Sequence, residues 1–203
     1  MQKKKGGPGG SRAVKPKRRG RVYLCGLLIT ALLALGGYHL FSNELEVTFY
    51  HLYSPKTAGG ENIRVVVLSD LHNREFGPGN TELVERIAAL RPDLIAVAGD
   101  MVNADDDNLD VILTLCSQLT EVAPVYYSPG NHESNLMYEN GSPIERMLLE
   151  LGVHVLVNRA EEVTINRTPL LIGGLTTSTE GYEEYGAVFF DEYEKSNACK
   201  LVI

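Results

Sequence analysis

The chain has 203 residues and a formal net charge of −7, with 44% apolar and 22% charged residues. That composition excludes a wholly disordered chain and fits one ordinary domain with additional segments. The charge is unevenly divided: residues 1–21 hold nine Lys and Arg and no acid, leaving ten basic against 26 acidic residues, a formal −16, in the remainder. Such a body excludes nucleic acid as the main partner, because neutralising a phosphate backbone needs clustered Lys and Arg.

Residues 1–21 read as a basic cytoplasmic tail in contact with acidic lipid headgroups. Val22 to Phe41 is twenty residues without formal charge, enough at about 1.5 Å per residue to span roughly 30 Å of hydrocarbon. Tyr23, Tyr38 and Phe41 fall near its ends, where interfacial aromatics belong. This segment is expected to be a single-pass transmembrane helix or signal anchor that holds everything after Phe41 outside the cytoplasm. The alternatives are a cleaved signal peptide, with Ala34-Leu35-Gly36 as its best processing site, and a buried core helix. Arg18-Arg19 leaves a twin-arginine export signal open.

Residues 42–61 are read as a connecting strand (42–53) and a linker (54–61). An α/β rhythm then begins. Ile63 to Leu68, Leu94 to Ala98, Val125 to Ser128 and Val153 to Val157 are short apolar runs expected as strands. Thr81 to Leu90, Leu109 to Leu119 and Ile144 to Leu151 show helical spacing, the first capped by Asn80 or Thr81. Val163–Asn166 and Leu170–Gly173 suggest a hairpin, residues 174–183 a polar loop, Phe189 to Ala198 a weak helix and Lys200 to Ile203 another apolar run. Alternating strand and helix imply a parallel sheet with right-handed crossovers. The run ending at Ile203 reads as a fragment boundary. Cys25, Cys116 and Cys199 form no Cys-x-x-Cys pair and are expected to be structural, without a disulfide framework.

Three motifs follow three of these strands: Ser69-Asp70-Leu71-His72, Gly99-Asp100-Met101-Val102-Asn103 and Gly130-Asn131-His132-Glu133. In open α/β sheets, sites gather beyond the carboxyl ends of the parallel strands, so all three are expected at one sheet edge. Carboxylate, imidazole and amide oxygen are ligands for Mn, Fe or Zn, and a carboxylate such as Asp100 can bridge two ions. Two such ions can clamp a phosphate and acidify water. His132, beside Asn131, is placed to act on a phosphate oxygen or leaving group. The Asp105–Asp107 run reads as a solvated loop, His154 as a strand residue, and the cluster of Tyr182, Tyr185, Tyr193, Phe189 and Phe190 as core cover.

Asp70-x-His72, Gly99-Asp100-x-x-Asn103 and Gly130-Asn131-His132-Glu133 resemble the first three signatures of the calcineurin-like metallophosphoesterases. The resemblance covers residues 62–203 and is closest to the bacterial membrane-associated branch. It implies a partial metallophosphoesterase β-sandwich flanked by helices, preceded by the transmembrane helix. It also implies two divalent ions, with Asp70 and His72 on the first, Asp100 bridging, Asn131 on the second, His132 catalytic and Asn103 orienting. The activity implied is hydrolysis of a phosphodiester or pyrophosphate by metal-bound hydroxide, at the cell membrane, on a phosphorylated small-molecule or lipid-linked substrate. The family's later lone His and Gly-His-x-His motif are absent: the histidines are His39, His51, His72, His132 and His154. The 203 residues alone are therefore expected to be inactive or nearly so. The alternative is a non-catalytic metal- or phosphate-binding module on a membrane anchor.

Overall fold

The computed structural model describes residues 23, 26–33, 35–36, 45–57, 62–105, 108–138, 140–175 and 187–203. The chain divides into two compact units, Met1–Glu46 and Val47–Ile203. In the first, residues 26–33 and 35–36 are helical, and Leu27, Leu28, Ile29, Leu32, Leu33 and Leu35 are exposed. Among the described residues no helix is long and apolar enough to cross a membrane. Much of the expected span, residues 22, 24, 25, 34 and 37–41, lies outside the described residues.

The second unit is an α/β sandwich. Strands β1 (Val65–Leu68), β2 (Leu94–Val97), β3 (Val125–Tyr127) and β4 (His154–Val155) form a parallel sheet in that spatial order. Between them run α1 (Thr81–Leu90), α2 (Asp110–Thr120), α3 (Asn131–Tyr138) and α4 (Ile144–Glu150). A second sheet holds β5 (Arg159–Ile165) and β6 (Thr168–Gly174), which are antiparallel, and β7 (Cys199–Val202), parallel to β6. Helix α5 (Ala187–Lys195) lies between β6 and β7 in sequence.

Alternation along the strands explains the layering. Leu94 and Ala96 of β2 pack with Tyr126, Leu156, Leu170 and Ile172, forming the apolar layer between the two sheets. Ile95 and Val97 point the other way and are equally buried. An order in which each strand lies beside its predecessor keeps right-handed crossovers on that second face. The helices supply Leu83, Ile87, Ile112, Leu115, Cys116, Leu119, Ile144 and Leu148 as buried partners. The outer face of the second sheet is covered by Phe189 and Tyr193 of α5 against Leu171.

Several expectations are corrected. Residues 45–53 form no strand: no described strand pairs with them, and Phe49, Tyr50, Leu52 and Tyr53 stay exposed. An alternating pattern without a hydrogen-bonded neighbour is only extended chain. Asn80 does not cap α1; it is left-handed (φ 63°), and its Oδ1 accepts from the Phe76 amide at 2.9 Å. Strand β4 shrinks to two residues because the chain turns at Asn158 (φ 49°) into β5. The hairpin is longer than its apolar core, and its two-residue turn, Asn166-Arg167, has φ 47° and 63°, a turn geometry matched to strand twist. Helix α3 lacks an apolar stripe and was not expected. Residues 176–186, with Tyr182 and Tyr185, Asp106 and Asp107, and Cys25 lie outside the described residues.

Candidate metal centre

The three motifs meet at the carboxyl edge of the parallel sheet because their strands are adjacent and in register. The first loop is laced onto the second by backbone. The amides of Asp70, His72 and Asn73 donate to the carbonyls of Gly99, Asp100 and Met101 at 3.1, 3.1 and 2.8 Å. Such pairing needs left-handed backbone at Asp70 (φ 58°), His72 (φ 50°), Asn73 (φ 59°) and Asp100 (φ 54°). Gly99 (φ 69°) packs its Cα against the third loop; an added Cβ would strike the Gly130 nitrogen and lie 2.5 Å from the Gly130 Cα. A Cβ on Gly130 would in turn lie 2.6 Å from the Asp100 amide nitrogen. Backbone-to-backbone contact of this kind is open to glycine alone.

The side chains converge. His72, Asp100 and His132 each offer a ligand atom, and these atoms lie within 4.8 Å of one another. Asp70 Oδ1 is 4.0 Å from His72 Nε2, and the Ser69 hydroxyl donates to Asp70 Oδ2. The rings of His72 and His132 meet edge to face at 4.7 Å. The Asp100 Oδ1 atom accepts from the His132 amide at 3.1 Å. Asn103 donates to the His72 carbonyl at 3.2 Å, so it braces the first loop and does not join the cluster. His132 Nδ1 accepts from the Ala104 amide at 2.9 Å. That bond assigns the neutral ring's proton to Nε2.

The donor set fits a hard divalent cation. The Asn131 carboxamide lies 3.0 and 3.3 Å from the two Asp100 oxygens. With its nitrogen inward it donates to the carboxylate. With its oxygen inward, three acceptor oxygens crowd together, an arrangement that a cation among them satisfies.

Sequence reasoning gave Glu133 no role. It is 1% exposed, and its carboxylate accepts from the amides of Asp100 (2.9 Å), Met101 (2.7 Å) and Gly130 (2.9 Å) and from the Tyr127 hydroxyl (2.7 Å). Burial first, and then the Glu133 charge, push the Tyr127 phenol well above its ordinary pKa. The available signal was position: an acid in the first turn of a helix that opens with the motif. His154, outside the cluster, stacks on Tyr126 at 4.6 Å and pairs with Glu161 at 2.7 Å.

The family model described as calcineurin-like phosphoesterase matches residues 63–197. An uncharacterized metallophosphoesterase of Aquifex aeolicus is 31% identical over 166 residues, covering 79% of this chain and 60% of its own length. Phosphodiesterase YaeI of Escherichia coli is 34% identical over 116 residues, 54% of this chain and 42% of its own. This chain thus spans less than two thirds of the length of either relative. Among solved structures, a phosphopantetheinyl hydrolase from Mycobacterium tuberculosis is similar at TM-score 0.46 and 17% identity, over 71% of this chain and 68% of that one. The matched span takes in the whole parallel sheet, β5 and β6 of the second sheet, and all three motif loops, and on that ground the chain belongs to the calcineurin-like phosphoesterase family.

Proposed function

We propose that the chain serves in metal-dependent hydrolysis of a phosphodiester or pyrophosphate bond at a dinuclear centre. The observation that carries this is the meeting of His72, Asp100 and His132 within 4.8 Å at the edge where Asn131 faces the Asp100 carboxylate. The Escherichia coli relative named a phosphodiesterase supports the reaction class. Asp70, His72, Asp100 and Asn131 would hold two divalent ions, drawn from Mn, Fe or Zn. Such ions supply Lewis acidity to a phosphoryl oxygen and acidify water. His132 acts differently from these ligands. A ligating imidazole donates through its other ring nitrogen, whereas Nδ1 of His132 accepts. Its Nε2–H is the group left to donate to a phosphoryl or leaving-group oxygen. Asn103 keeps His72 in place through the His72 carbonyl.

The apolar residues 22–41 behind a basic tail support a single-pass anchor in the bacterial membrane-associated manner, with the site on the extracytoplasmic side. That location favours a lipid-linked or other envelope phosphate as substrate. The alternative is a non-catalytic metal- or phosphate-binding module, which would bind Mn²⁺ without hydrolysis.

The test is Mn²⁺ binding and Mn²⁺-dependent hydrolysis of bis-p-nitrophenyl phosphate by the complete gene product that carries these 203 residues and by its Asp100→Ala variant. Hydrolysis that falls by about 100-fold or more in the variant supports the enzyme; removal of electrostatic stabilisation from a reacting centre is of that size. Mn²⁺ binding without hydrolysis of this diester, of a monoester or of a pyrophosphate turns the reading to the module.

A further inference from the structure

We propose that Glu133 is a positioning residue that sets the metal affinity of this centre, a role that rests on the metal-centre reading above. It touches none of the candidate ligand atoms. It acts through the backbone that carries them.

One carboxylate oxygen bridges two loops: Oε2 accepts from the amides of both Asp100 and Gly130 at 2.9 Å. The other, Oε1, accepts from Met101 and from Tyr127. The clasp is reciprocal, because Asp100 on the second loop accepts from the His132 amide on the third. Each loop's acid thus satisfies the other loop's backbone, and the separation of Asp100 from Asn131 and His132 follows from these bonds. A full carboxylate is required for this. It is acceptor-only at both oxygens, and here it meets four donors with none to spare. A carboxamide of the same shape must turn an NH₂ toward one pair of donors. Its least costly orientation puts nitrogen toward Tyr127, whose hydroxyl can rotate to accept, and leaves the Met101 amide unpaired beside Asp100.

The experiment uses the full chain and Glu133→Gln. Mn²⁺ affinity is measured by calorimetry at a temperature where far-UV circular dichroism shows both proteins folded, and the metal-free unfolding midpoint is measured in EDTA. The expected result is a Mn²⁺ affinity about 10–100-fold weaker in the folded variant, the range for outer partners of metal ligands. A purely structural role lowers the midpoint and leaves affinity unchanged; that result overturns the proposal. If the variant does not fold, amide hydrogen exchange in the unaltered protein decides. The Asp100, Met101 and Gly130 amides are expected to exchange slowly in EDTA, and fast exchange there overturns the clasp. An unaltered chain that binds no Mn²⁺ refutes the metal-centre reading and takes this inference with it, whereas equal affinities refute only the inference.

Discussion

Replacing Gly99 with Ala tests whether the second and third loops are held together by bare backbone contact. Two costs are expected. The left-handed conformation at φ 69° disfavours any Cβ by about 1–2 kcal/mol. The new methyl also meets the Gly130 nitrogen and Cα and the Pro129 carbonyl carbon, backbone atoms that cannot rotate aside; overpacking of this kind costs about 1–3 kcal/mol. The sum is about 2–5 kcal/mol, a large part of the roughly 5–15 kcal/mol that holds a domain folded. Gly141→Ala is the matched control: its φ is 67°, and nothing lies within 4 Å of an added Cβ. It keeps the conformational cost without the collision, and both variants share the same gain from a stiffer unfolded chain. Urea unfolding in EDTA, followed by far-UV circular dichroism because the chain has no Trp, should place Gly99→Ala about 1–3 kcal/mol below Gly141→Ala. Equal stabilities would refute the claim that the loops touch through glycine.

Two further outcomes are expected. Ile172→Ala, fully buried in the layer between the sheets, should cost about 2–5 kcal/mol in the same urea assay; a loss under about 1 kcal/mol would argue against the sandwich core. Stability should fall as pH rises from about 9 to about 12, because three groups hold their protons longer in the folded state. Burial, and next the Glu133 charge, push the Cys116 thiol from 9.0 up to about 12; burial, and next Cys199, push Tyr193 to about 12; and Tyr127 lies well above its ordinary value. Across that window the unfolded chain binds fewer protons than the folded one, so unfolding gains ground with each step in pH. Below about pH 9 these groups contribute no pH dependence, and a flat urea midpoint between pH 8 and 11 would contradict the burial of all three.

What the sequence made legible follows from range. Short apolar runs such as Leu94–Val97, each followed by Ser-Asp, Gly-Asp or Gly-Asn, announce both a parallel strand and what it carries to the sheet edge. The loops around Asp70, Asp100 and Asn131 could therefore be assigned to one edge without coordinates. Glu133 could not be read, because an acid is ordinarily a surface residue, and its four donors come from two loops and a strand that only the fold assembles. Helix α3 escaped because Asn131-His132-Glu133-Ser134-Asn135 shows no apolar period; it is held by its place between β3 and α4. Residues 45–53 misled in the opposite sense, since alternation reports a possible strand and says nothing about a neighbour to pair with. At Asn80, the turn Gly77-Pro78-Gly79 sets the chain left-handed, and the side chain spends its oxygen on Phe76.

The left-handed backbone at Asp70, His72 and Asp100 has an evolutionary consequence. Each holds a conformation that costs a residue with a Cβ on the order of 1 kcal/mol, and glycine would relieve all of it. The replacement that would relieve this backbone cost is also the one that deletes the proposed ligand, and at Asp100 it gives up the bond from the His132 amide as well. Relief of backbone cost and retention of the proposed metal site therefore oppose each other at these three residues, and a descendant that gave up the side chains would keep the architecture and lose that site.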